Sequence, residues 1–182
     1  MRLKNFLWVI ACLTLLAVFS LLLGLRSYQV FTGEELVALV RCEAAAKDSP
    51  YRFILLLTPI THGVSRPAEK FPMMGDQWAI GGDILKWHPW VNLLGFKTCQ
   101  KLTRLSGRYL KAEAELNNPK SAYDLNGGTD SLWRWMYRWG YRLPFVEAVY
   151  GNSAHTLAQP GTQWGVYVTL SGYLVKPVRI KP

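Results

Sequence analysis

Between Gly75 and Trp90 the chain concentrates groups that could do chemistry: Asp76, Gln77, Trp78, Asp83, Lys86, Trp87, His88 and Trp90. An acid, an amide, a cation, a histidine and indoles in one short stretch can line a ligand pocket, which is typically apolar with a few placed polar groups. The competing reading makes Gly75-Asp76 a turn, Trp78 a core residue and His88-Pro89 the start of a loop. A second group, Arg104 and Arg108, brackets Ser106-Gly107 in what reads as a hairpin. Their guanidinium forks could pair with Asp76 or Glu147, or hold an anion bidentately. Glu147 and Tyr150 lie on an apolar strand that runs into a Gly151-Asn152 turn, and a buried Glu147 would need a partner. The expectation is one buried polar cluster, structural or ligand-binding, made of Asp76, Gln77, Trp78, Arg104, Arg108, Glu147 and Tyr150.

Known catalytic patterns are absent. The chain has no G-x-S-x-G, H-E-x-x-H, P-loop or G-x-G-x-x-G. His62, His88 and His155 sit in turn-like surroundings, and Ser153 is too near His155 in sequence to suggest a triad. Asp76 and Glu147 are of the types that serve as acid and base, but their spacing alone gives that pairing no support. No catalytic residue, cofactor or metal is assigned. Three cysteines are present, Cys12, Cys42 and Cys99, with no C-x-x-C. In an oxidising compartment Cys42 and Cys99 could bond; the alternative is two free core thiols.

One segment joins charge to aromatic surface. Arg134, Arg138 and Arg142 recur at every fourth residue, and Trp135 and Trp139 form the neighbouring stripe. Thr129 or Asp130 can cap a helix that begins at Ser131, and Pro144 ends it. Such a helix could rest on a leaflet, arginines on phosphates and indoles at headgroup depth. Alternatively it covers one mouth of a sheet, with its tryptophans packed and its arginines solvated. Arg134, Trp135, Arg138, Trp139 and Arg142 are the expected membrane-interface residues.

These groups must be positioned by what lies around them. Phe6 to Leu25 is an uncharged, mostly apolar run of 20 residues. At 1.5 Å per residue it spans the ~30 Å bilayer core. A cleaved signal peptide is shorter and ends in a small-x-small site. Val9-Ile10-Ala11-Cys12 resembles a lipobox, but the apolar stretch continues well past Cys12. The run therefore reads as an uncleaved signal anchor. Arg2 and Lys4 precede it and Arg26 follows, which puts the N-terminus in the cytoplasm. Residues 1–26 are expected as cytoplasmic tip and anchor, 27–35 as linker, and 36–182 as one extracytoplasmic domain.

Apart from Arg2 and Lys4 the formal net charge falls from +9 to +7, with Lys176, Arg179 and Lys181 at the C-terminus. A basic domain beside a membrane meets anionic headgroups. Nucleic acid, the other usual partner of such charge, is not expected, because no recognition motif is present. Alternating apolar and polar residues mark strands at Leu36–Ala44, Tyr51–Thr58 (ended by Pro59), Gln77–Ile80 (ended by Gly81-Gly82), Phe145–Tyr150 and Trp164–Ser171. Leu110–Leu116 alternates too, although its helix formers compete. Six to eight such strands predict a mainly β fold: an antiparallel sandwich or barrel with one short amphipathic helix.

Three stretches, GDQWAIGGDILKWHPW, LLGFKTCQKLTRLSGRYL and LPFVEAVYGNSA, resemble a group of bacterial single-span envelope proteins, over roughly residues 36–175. Some of these carry the label "cation/multidrug efflux pump". The resemblance implies one span, one following domain and an inner-membrane location, and brings no site residues with it. A transporter builds its site from several spans, so one span allows at most an accessory subunit. The expected function is non-catalytic: binding of membrane lipid, another amphipathic ligand or an envelope protein at the membrane surface. The alternatives are a membrane-anchored hydrolase or transferase acting on lipid or cell-wall material, and a transporter accessory subunit.

Overall fold

A computed structural model describes residues 2–44 and 51–178, with side chains from 4–43 and 51–178. Arg179 and Lys181 lie outside the described residues. The chain opens with α1 (Arg2–Thr32), long and apolar enough to cross a membrane and with no part of its apolar stretch buried against the domain. The helix does not stop at Arg26. It continues through most of the segment expected as linker, and only Gly33 and Glu34 separate it from β1 (Glu35–Ala44).

The rest is mainly β, in two antiparallel sheets. The larger contains β1, β2 (Arg52–Thr61), β3 (Val64–Ser65), β4 (Glu69–Met74), β9 (Gln163–Thr169) and β10 (Gly172–Pro177). Its order is β10-β9-β1-β2-β3, with β4 also paired to β2. The smaller has the order β7-β6-β5-β8, from β5 (Gln77–Trp87), β6 (Cys99–Arg108), β7 (Ala122–Asp124) and β8 (Val146–Leu157). Between strands lie α2 (Pro89–Leu93), α3 (Ala112–Asn117) and α4 (Ser131–Trp139), the last followed by a 3-10 turn, Gly140–Arg142.

The sheets face each other as a sandwich, not a closed barrel. Alternation puts Val40, Cys42, Leu55, Leu57, Val166, Trp78, Ile80, Ile84 and Leu105 in one core. Full burial of each aliphatic among them stabilises by ~1.5–3 kcal/mol before the entropy of ordering is charged. A bulge between Leu36 and Ala38 turns Leu36 toward Tyr167, so it does not share the buried face of Ala38, Val40 and Cys42.

The two open sides of the sandwich are pinned. On one, the Tyr173 amide donates to Asn152 Oδ1 at 2.7 Å. On the other, the Met74 amide donates to Ser121 Oγ at 3.0 Å. A Cβ at Gly107 would overlap the Met74 carbonyl oxygen, so glycine admits this close approach.

Several expected breaks are not breaks. Gly81-Gly82 lies inside β5, paired with both β6 and β8. A Cβ at Gly82 would overlap the Lys101 carbonyl, so glycine serves close strand packing rather than a turn. Ser106-Gly107 is within β6, not at a hairpin, and Gly151-Asn152 is within β8. Strand β2 continues through Pro59 to Thr61, because its neighbour changes from β4 to β3 around the proline. Residues 112–117 are the helix that their composition favours, not a strand.

Candidate functional site

The expected polar cluster is dispersed. Asp76 precedes β5, while Glu147 lies on β8 beside the far end of β5, where its Oε1 takes the Lys86 ammonium at 2.7 Å. Ten strand residues at ~3.3 Å each separate the two carboxylates by about 30 Å, so they cannot act as one acid–base pair. Asp76 Oδ1 accepts the Leu110 amide at 2.7 Å and takes no arginine among the described residues. Gln77 is half-buried beside it, and Trp78 is a core residue. Tyr150 packs against the core, and burial raises its hydroxyl pKa.

Arg104 and Arg108 are exposed on the outer face of the smaller sheet, without a carboxylate partner among the described residues. Between them and Ser153 lies a shallow trough floored by Ala79 and Gly81. Cys42 and Cys99 are free: Cys42 is in the core and Cys99 is exposed at the start of β6. The disulfide alternative is thereby overturned, because the core side of one sheet and the outer face of the other do not meet.

The polar cluster that does exist was not expected from sequence. Asp83 is 4 % exposed, on the outer face of β5, and its Oδ1 accepts the Tyr137 hydroxyl of α4 at 2.8 Å. Its Oδ2 has no protein partner. Burial, then this carboxylate, pushes the Tyr137 hydroxyl far above the usual tyrosine range. Asp130 caps α4 through the Trp133 amide at 3.0 Å and holds Lys101 at 2.9 Å. So α4 is strapped along the smaller sheet at both its start and its middle. Arg134, Trp135, Arg138, Trp139 and Arg142 all face solvent, and the Arg142 guanidinium lies 4.2 Å over the Trp139 ring. The helix covers part of the sheet, but Trp135 and Trp139 are exposed and not packed as the covering reading expects.

A cavity lies where α1 meets the sandwich. It is half-open, about 300 Å³, and lined by Arg26, Val30, Asn92, Phe96, Thr98 and Leu170 among others. Its walls come from three places. Helix α1 contributes Arg26, whose guanidinium has no carboxylate partner among the described residues and stands 3.0 Å from where a Cβ on Gly95 would lie. The turn after α2 contributes Gly95, at a φ of 104°, and Phe96. The β9–β10 connection contributes Leu170.

The junction is braced by ion pairs, Lys97 to Glu35 at 2.9 Å and Lys176 to Glu34 at 2.7 Å. Exposed pairs of this kind contribute ~0–1 kcal/mol each. Asn92 is 1 % exposed. Its Nδ2 donates to the Trp87 carbonyl at 3.2 Å, which assigns the amide orientation and leaves Oδ1 as an acceptor without a protein donor. Thr98 Oγ1 is buried and likewise unpaired. Unsatisfied buried polar groups cost about 1–3 kcal/mol each, and these two stand beside the cavity, where a bound molecule or water would satisfy them.

None of Arg26, Asn92 or Thr98 stands out in the sequence. The available signal was Leu94-Gly95-Phe96 after a short proline-initiated helix, a small residue between large apolar ones. No protein-family model, curated protein or solved structure matches the chain.

Proposed function

We propose that this is a single-span, non-catalytic membrane protein whose β domain binds an amphipathic ligand at the membrane surface. The observation that carries the reading is the cavity at the α1 exit. It pairs apolar walls, Val30, Phe96 and Leu170, with an unpartnered cation, Arg26, and unpartnered groups on Asn92 and Thr98. A molecule with an apolar portion and a polar head that donates to Asn92 Oδ1 and presents negative charge to Arg26 matches those groups. Membrane phospholipid has that chemistry. Arg2 and Lys4 ahead of the span support a cytoplasmic N-terminus, and with it a bacterial inner-membrane protein whose sandwich is periplasmic. Kinship with the single-span envelope proteins that the chain resembles belongs to the same proposal. An envelope protein as partner at this surface is the second reading, favoured by the exposed aromatic and apolar side chains around α2 and α4.

Native mass spectrometry of the full-length protein, extracted in mild detergent, tests both. The expected result is a bound amphipathic molecule of defined mass whose occupancy falls in Arg26→Gln and Thr98→Val. A protein complex without such a molecule would favour the second reading, and a bare monomer would overturn both.

A further inference from the structure

The α2 turn lies against α1, and it carries an unusual surface. Trp90 is 49 % exposed, Leu94 68 % and Phe96 57 %, and Leu93 is exposed beside them. Four large apolar side chains exposed within seven residues give this turn an apolar patch of the kind that soluble surfaces avoid. The height of this patch follows from α1. Beyond Leu25, where the uncharged run ends, α1 continues to Thr32 and climbs about 10 Å before the sandwich begins. Yet the chain returns from the end of β5 to set Gly95 against the Arg26 guanidinium. Arg26 is the first charged residue after the apolar run.

The α2 turn therefore hangs back to the level at which α1 leaves the hydrocarbon. Its neighbours extend the rim: Phe145 packs on Trp87 at 6.2 Å, Phe96 packs on Trp87 at 6.1 Å, and exposed Tyr141 precedes Phe145 in the chain. Within the turn, the Trp87 indole is tied to the Lys97 carbonyl at 2.8 Å, so the patch is presented on a closed and rigid loop.

We infer that Trp90, Leu93, Leu94 and Phe96 insert into the headgroup–acyl boundary of the leaflet that α1 enters, as a second, monotopic membrane contact. The occupant is lipid, because the patch is continuous with a membrane-crossing helix and lies at its exit. Indole and phenyl rings at that depth, with Arg26 and Lys97 above them, have the distribution of an interfacial anchor. The inference rests on the reading of α1 as a membrane span, and it moves the membrane face from α4 to α2. With two points of attachment the sandwich cannot swing about residues 33–34, and the cavity beside Asn92 opens at headgroup height.

Nitroxide accessibility in the full-length protein, reconstituted in vesicles of phosphatidylethanolamine and phosphatidylglycerol, tests this. All variants carry Cys99→Ser. One label sits on native Cys12 in α1. A second sits at Leu94→Cys and a third at Leu116→Cys, both with Cys12→Ser; Leu116 is in α3, which joins β6 to β7 by way of the opposite end of the sandwich. Labels at 12 and 94 are expected to collide severalfold more with oxygen than with an aqueous nickel chelate, and the label at 116 to show the reverse. A lipid-like label at 12 with a water-like label at 94 would overturn the inference and leave the span intact. A label at 94 shielded from both reagents would overturn it in favour of protein cover. A water-like label at 12 would overturn the span itself.

Discussion

A buried carboxylate with only one oxygen partnered is a costly side chain. Asp83 has Tyr137 on one oxygen and nothing from the protein on the other. Tyr137→Phe should therefore destabilise by about 1–3 kcal/mol, read as a lowered urea midpoint with unchanged slope. Replacing both residues with apolar ones of similar volume should recover most of the loss, since it removes the unpaired group as well as its partner. Cysteine reactivity separates as sharply. Burial raises the Cys42 thiol to about 11, so at neutral pH almost none of it is thiolate. Of the two domain cysteines, Cys99 should be alkylated in the native protein, and Cys42 only after denaturation. Mass mapping that found the two linked by a disulfide would contradict the structure.

Strand β5 and helix α4 are each decided by one neighbour relation. In β5 the Gly81-Gly82 pair looks like a terminator, because glycine usually punctuates strands. Here the missing side chains let β6 and β8 approach from both sides, so Gly82→Ala should cost at least as much as a core overpacking change, ~1–3 kcal/mol, read as a fall in melting temperature. For α4 the cap is legible and correct: Asp130 before Ser131, with its carboxylate on the Trp133 amide. The Trp133 amide first, and the Lys101 ammonium second, hold the Asp130 carboxyl below its ordinary range. A lowered folded pKa contributes stability that is complete above the unfolded value and is lost as pH falls through the folded one. The Trp133 amide resonance should thus hold its position at neutral pH and shift, with loosening of the first turn of α4, as the solution is acidified below the usual aspartate range. Asp130→Ala should show the loosened state at every pH.

Taken as a unit, the sandwich is held shut by contacts at both sheet margins. Asn152→Ala and Ser121→Ala each remove the acceptor of a strand amide, at Tyr173 and Met74. Each should cost about 1 kcal/mol, and because the two margins share no partner the costs should add in the double variant, as denaturation midpoints would show. The same margins account for Gly107, which marks no turn, and for the close approach of Asn152 to Gly172 at the β9–β10 turn. At the membrane end, Glu35 at the start of β1 binds Lys97 of the loop that follows α2, and Glu34 binds Lys176 of β10. This fastening makes the α2 turn a candidate second anchor rather than a freely swinging loop.

The uncharged run at Phe6–Leu25, the cap at Asp130 and the alternation in β1 and β9 are local patterns, and each was readable because period and composition act within a few residues. The mainly β class followed from them. Distances between residues on different strands had no such local signature. Asp76 and Glu147 look companionable in composition, yet β5 holds them a strand length apart. Asp83 looks like one polar residue among many until α4 folds over it. Arg26 is far in sequence from Asn92 and Thr98, and none of the three is unusual in type. They become a site because α1, the α2 turn and the start of β6 converge at one end of the sandwich, and convergence is a property of long-range packing that no short window of residues encodes.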